Sequence, residues 1–253
     1  MKQGLIILAV IAFVSLSVTL VVWAHSSPTP QAFVVGEPPS EPTTTAAFAA
    51  PEPAAASTTP RGAAFKSTMT TYFFVGEPAD SSNDFIANDQ SYWDDSWQKH
   101  FGGVDDPQDR CGYRPCGFTP KENPFYAALP YGEYDPQGDM KASAEQVPWY
   151  QPKLSPLLKN HWIEIQHAGH TCFAQWEDVG PNNEDDFAYV FGSAPNPVNT
   201  FGEKAGLDVS PAVWDCLGMT DNDITSWRFV DASEVSDGPW KDIITSSGIS
   251  WTD

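Results

Sequence analysis

Positive charge is what this 253-residue sequence has least of: 13 Lys and Arg stand against 33 Asp and Glu, a formal net charge of −20. Such a surface repels phosphate, so nucleic-acid binding through a basic footprint is excluded. Polybasic docking onto anionic lipid is excluded by the same sign. No Cys follows the one long apolar run, so a lipoprotein anchor of bacterial type is unsupported. Neither acid cluster, Asp105-Asp106-Pro107-Gln108-Asp109 nor Glu184-Asp185-Asp186, has EF-hand spacing, and both read as solvated loop charge before calcium ligands. Aromatics are not scarce. The 10 Trp, 15 Phe and 8 Tyr can build a core, which excludes disorder throughout.

The chain divides into three. Residues 1–24 hold Lys2 and an uncharged apolar run from Gly4 to Trp23. As a helix that run spans about 30 Å, one bilayer core. It reads either as a signal peptide with a small-residue site at Val22-Trp23-Ala24 or as an uncleaved signal anchor. Both readings export the rest, which is then secreted, periplasmic or displayed at the cell surface, with membrane contact only through this segment. Residues 25–65 are rich in Pro, Ala, Thr and Ser and read as an extended, disordered linker. Residues 66–253 form the folded unit, which carries nine of the 10 Trp, 30 of the 33 acids and 11 of the 13 bases.

Within that unit the pattern is strand-like. Thr68–Val75 is β-branched and aromatic and stops at Gly76-Glu77-Pro78. Trp162–His167 and Thr171–Asp178 alternate on either side of Ala168-Gly169, as a hairpin would, and Trp227–Asp231 is a further short strand. One helix is expected, with Ser210 as N-cap, Pro211 at the first helical position, Ala212–Leu217 as its body and Gly218 as C-cap. Few helices and many short strands predict an all-β sandwich or barrel. The stretch from Gly76 to Pro156 shows no regular pattern. A loop region of that length, when ordered, commonly carries function.

Four cysteines allow three pairings. Cys111 and Cys116 bracket a Gly-Tyr-Arg-Pro turn, which favours Cys111–Cys116 and leaves Cys172–Cys216 to tie the hairpin to the helix. Export makes oxidation plausible, with buried free thiols at 172 and 216 as the alternative. His167, His170 and Cys172 lie close in sequence but straddle a turn and lack a second ligand pair, so no metal site is expected. No cofactor is implied.

Chemistry centres on Asp178. Side chains alternate along its strand, so Cys172, Ala174, Trp176 and Asp178 share one face. An acid at a strand end beside an indole is placed for a raised pKa and general-acid duty. Equally, an Asp before Gly-Pro commonly caps turn amides.

The pair Asp178-Val179-Gly180-Pro181 and Leu207-Asp208-Val209-Ser210-Pro211-Ala212-Val213 resembles the double-psi β-barrel domains of rare lipoprotein A and the expansins. The segment Gly117–Gly132, with Glu122, Ala127-Ala128 and Leu129-Pro130-Tyr131-Gly132, is similar to an upstream segment of that family. The resemblance runs from about Thr68 to Asp231 with large insertions. It implies a six-stranded double-psi β-barrel with long loop insertions and a short helix. It also implies a glycan-cleaving or glycan-binding role at a polysaccharide or peptidoglycan. Carried over by residue, the transglycosylase acid falls on Asp178, its upstream Glu on Glu122, and the acid of the expansins and family-45 glycoside hydrolases on Asp208. Two departures weaken the peptidoglycan case. The His expected between the Ala pair and Leu-Pro is missing, and Val179 stands where an Arg is usual. The chemistry implied is carboxylate acid–base cleavage of a glycosidic bond. Trp93, Trp97, Trp149 and Tyr150, in the unpatterned stretch, are the candidates to stack on sugar rings, with core filling as their alternative. A non-catalytic, wall-loosening binding module and a structural surface protein remain as competing readings.

Overall fold

The computed structural model describes residues 63–247. The apolar segment 1–24 and all but the last three residues of the 25–65 linker lie outside the described residues. Among the described residues, no helix is long and apolar enough to cross a membrane.

Six strands close into a barrel: β1 (Lys66–Tyr72), β2 (Tyr126–Leu129), β3 (Trp162–His167), β4 (His170–Val179), β5 (Leu207–Val209) and β6 (Asp223–Val230), in the order β1-β5-β2-β4-β3-β6. Closure removes the exposed edges that so many short strands would otherwise present. Two neighbouring pairs, β1·β5 and β2·β4, are parallel, and the other four are antiparallel. Among the described residues three short α-helices accompany the strands: α1 (Trp97–Phe101), α2 (Phe187–Val190) and α3 (Pro211–Leu217).

The hairpin of β3 and β4 forms where the sequence alternates. Its two turn residues, Ala168 and Gly169, both have positive φ (47° and 88°), as the tightest hairpin turns require. Pairing puts Ile163 opposite Ala174 and Phe229, and Ile165 opposite Cys172 and Trp227. These residues join Trp176, Leu207 and Val209 in one core. A smaller second core gathers Phe73, Val75, Trp97, Phe101, Tyr126 and Ala128, where the insertion after β1 packs on β2. Tyr126 anchors it: its hydroxyl donates to Asp105 Oδ2 at 2.9 Å and accepts from the Val75 amide at 3.0 Å. Asp105 is therefore buried and also pairs with Arg110, which corrects its reading as solvated loop charge. Among the described residues no group of three or more His, Cys, Asp or Glu is arranged to hold a metal.

Helix α3 follows its sequence signals. Ser210 Oγ accepts from the Val213 amide at 3.2 Å, Pro211 opens the helix, and Gly218 closes it at φ 64°. Ser210 Oγ also accepts from the Tyr126 amide of β2, at 3.3 Å. Ser210→Ala should therefore cost roughly 1–2 kcal/mol, read by urea denaturation. Both favoured disulfides are formed. Cys111–Cys116 closes a loop, and Cys172–Cys216 ties β4 to α3 across a Cα separation of 6.2 Å.

Candidate functional site

The register of the barrel assembles a row of side chains across four adjacent strands. Thr71 of β1 pairs with Asp208 of β5, Asp208 pairs with Ala128 of β2, and Ala128 pairs with Asp178 of β4. Paired residues share a face of the sheet. A register shift between Ala127 and Ala128 makes this possible. Ala127 faces Trp176 and Ala128 faces Asp178, so Glu177 is the extra residue of a bulge. Without the bulge, Ala128 would meet Glu177 in place of Asp178; the bulge turns Asp178 to the opposite face from Trp176, against the simple alternation expected from the sequence. The small Ala128 between the two acids leaves the floor low.

Above the row is a cleft of about 310 Å³ lined by Asp178, Asp208, Glu77, Thr71, Tyr72 and Phe201 among others. Asp178 Oδ1 accepts from two backbone amides, Tyr92 at 2.7 Å and Val179 at 2.8 Å. Oδ2 takes neither. Both bonds favour the carboxylate, yet burial outweighs them, and with the negative charges of Asp208 and Glu184 it pushes Asp178 up to about 7. Asp208 accepts from the Thr71 hydroxyl. Burial, aided by Glu77, pushes it up to about 7 as well. Burial likewise raises Glu77, whose Oε2 accepts from Asn88 Nδ2 at 2.8 Å. Near neutrality such a cleft holds protonated and ionised carboxyls side by side, as acid–base chemistry needs.

A second cavity of about 720 Å³ also has Asp178 in its wall, together with Tyr92, Trp93, Tyr134, Asp135 and Glu184 among others. Ile86, Asp178 and Val179 line both cavities.

The three carboxylates singled out from sequence separate here. Asp178 and Asp208 share the row. Glu122 lines neither cavity. It is buried, accepting from Trp97 Nε1 at 3.1 Å and from Ser247 Oγ at 3.2 Å. Its electrostatic neighbours are Lys159 and Asp94. Lys159 itself stands 2.7 Å from Glu177 Oε2 in a buried ion contact whose direction falls short of a hydrogen bond.

The aromatic candidates need correction. Trp93, Trp97 and Trp149 are 1–3% exposed and cannot present a face to a sugar. Trp93 donates to Glu133, Trp97 donates to Glu122, and Trp149 stacks on His161 at 4.0 Å. Each buries a large apolar area while its indole N–H finds an acceptor; for Trp149 that is the Leu157 carbonyl at 3.0 Å. Tyr150 is half-buried and packs against the main core. Tyr92 and Tyr134 line the second cavity and Tyr72 and Phe201 the first, and none of them, nor Glu77, has a sequence signal that sets it apart. Tyr92 sits beside Trp93 in a stretch with no period to separate the two rings. Glu77 lies in the Gly76-Glu77-Pro78 turn, which reads only as the end of a strand.

No protein-family model matches this chain, and no curated protein is significantly similar to it in sequence.

Proposed function

We propose that the chain is an exported glycan-cleaving protein of double-psi β-barrel type, similar to rare lipoprotein A and the expansins. Asp178 is its general acid and Asp208 its base or charge stabiliser. One observation carries the reading: the two acids of the resembling motifs lie in one cross-strand row facing one cleft, each held near 7. Their strands both flank β2, which puts their Cα atoms about 10 Å apart. That spacing lets both carboxyls reach one glycosidic bond in the cleft they share. The two parallel strand pairs support the double-psi connectivity. The two disulfides support export.

A second reading, an expansin-like module that binds without cleaving, draws on Val179 and on the His missing before Leu129. One experiment separates them. The full chain is incubated with purified peptidoglycan, cellulose and a glucosamine polymer, and soluble products are identified by mass spectrometry. Cleavage releases oligosaccharides from at least one of them. Retention of the protein on a glycan without products supports the binding module and overturns the enzyme.

A further inference from the structure

The two cavities have Ile86, Asp178 and Val179 in both their walls, so Asp178 is open to each of them. Their walls have a consistent electrostatic character. Glu77, Asp178, Asp208 and Glu203 line the first cavity, and Asp135 and Glu184 join Asp178 in the second. Among the described residues no Lys, Arg or His lines either one. The protein does place bases in other cavities: Lys66 and Arg228 line one, and Lys99, His100 and Lys121 another. Lys141, close to the Glu184 backbone, is engaged by the Glu184 carbonyl at 2.8 Å and by Asp185 at 3.2 Å.

A pair of half-buried aromatic rings accompanies the charge. The Tyr92 and Tyr134 rings lie nearly parallel, 11° apart, with centroids separated by 6.3 Å. The pair is fixed from several sides. Tyr92 Oη donates to the Tyr134 carbonyl and accepts from the Tyr134 amide, both at 2.8 Å. The Tyr92 ring occupies the space a Cβ on residue 132 would need, so only Gly fits there. The Tyr92 amide in turn holds Asp178 Oδ1. The pair and the acid are thus one rigid unit, with the ordering entropy of its side chains spent before a ligand arrives.

Resting on the glycan-cleaving reading, we infer that the two cavities take a linear polymer of amino sugars bearing free ammonium groups, a glucosamine-type chain, bound across Asp178 with one sugar at the Tyr92–Tyr134 pair. Uronate, phosphate or lactyl groups would meet carboxylates with no counter-charge. Ammonium groups would pair with Asp135, Glu184 and Glu203, which keep the walls acidic even when Asp178 and Asp208 are protonated, and a cleft focuses that attraction.

The test measures binding of glucosamine hexamer, N-acetylglucosamine hexamer and cellohexaose to the full chain carrying Asp178→Asn, by calorimetry in mildly acidic buffer. Glucosamine hexamer should bind about tenfold tighter than either neutral oligomer at low salt, and the advantage should shrink at high salt. Glu184→Gln and Glu203→Gln change one exposed acid in each cavity. Together they should cut the advantage several-fold with the melting temperature unchanged. Equal affinity for the three hexamers, or a preference that salt leaves intact, overturns the charge inference while the glycan reading stands. If none of the three binds, the amino-sugar inference fails, and product release from peptidoglycan decides the glycan reading.

Discussion

Asp178→Asn should lower glycan cleavage by about 10²-fold or more and, at the same time, raise the melting temperature above pH 7. The first effect follows from its role. An amide has no proton to give the leaving oxygen, and general acid catalysis contributes roughly 10²–10⁴ to such reactions. The second effect follows from burial. Asp178 and Asp208 titrate near 7 in the fold against an ordinary value of 3.8. Between those values the folded protein holds protons that the unfolded chain has released. Stability therefore falls as pH rises from about 4 to about 7 and levels off above that. Asn keeps an oxygen for the Tyr92 and Val179 amides but carries no charge, so the variant escapes its share of the decline. Asp208→Asn should behave in the same direction. A site kept at a cost in stability is what function, and not packing, selects. Thermal melts at pH 5 and pH 8 beside product release measure both halves. Full activity in Asp178→Asn sinks the assignment. A variant that is inactive and less stable at pH 8 would mark Asp178 as a structural cap of the turn.

How much of this was legible beforehand depends on where the information resides. Helix α3 was readable to the residue because its signals are local: a hydroxyl cap, a Pro at the first turn, a Gly able to adopt positive φ. The β3–β4 hairpin was readable because each strand is long enough to alternate. Strands β2 and β5 were not. Tyr126–Leu129 has four residues, all buried, and Leu207–Val209 has three, so neither offers a period to detect. They are strands because their neighbours make them so, and they hold the centre of the site. Asp178 and Asp208 were found through motifs, but their meeting depends on the bulge at Glu177, which pairing alone reveals. The aromatics failed for a related reason. Trp is chosen for the core and for sugar faces by the same chemistry, and only burial separates the two uses.

Lys159→Met should destabilise the fold by about 3–5 kcal/mol at pH 8 and by less at pH 5. Lys159 is 4% exposed and touches Glu177, which is 1% exposed, with Glu122 and Asp94 nearby, all buried. Burial alone would lower the Lys159 pKa, but these three carboxylates raise it, so the ammonium persists through the whole accessible range. Even beside it, burial pushes Glu177 up to about 7. Removing the cation leaves Glu177 and Glu122 facing Asp94 without compensation and drives their pKa values higher still. Their protonation relieves the strain in acid and becomes unfavourable as pH rises, so the variant's stability should fall more steeply between pH 5 and pH 8 than the parent's. The substitution also removes the donor to the Ser247 carbonyl, loosening the C-terminal segment that crosses this cluster. The double variant Lys159→Met with Glu177→Leu separates the causes. Replacing both members of a buried ion pair by apolar groups restores much of what breaking it costs. Recovery in the double variant by urea denaturation makes the ion pair the source of the loss. No recovery makes the lost grip on Ser247 the larger part. Glu122→Gln, which retains an acceptor for Trp97 Nε1, should leave glycan cleavage intact, because Glu122 belongs to this cluster and lines neither cavity beside Asp178.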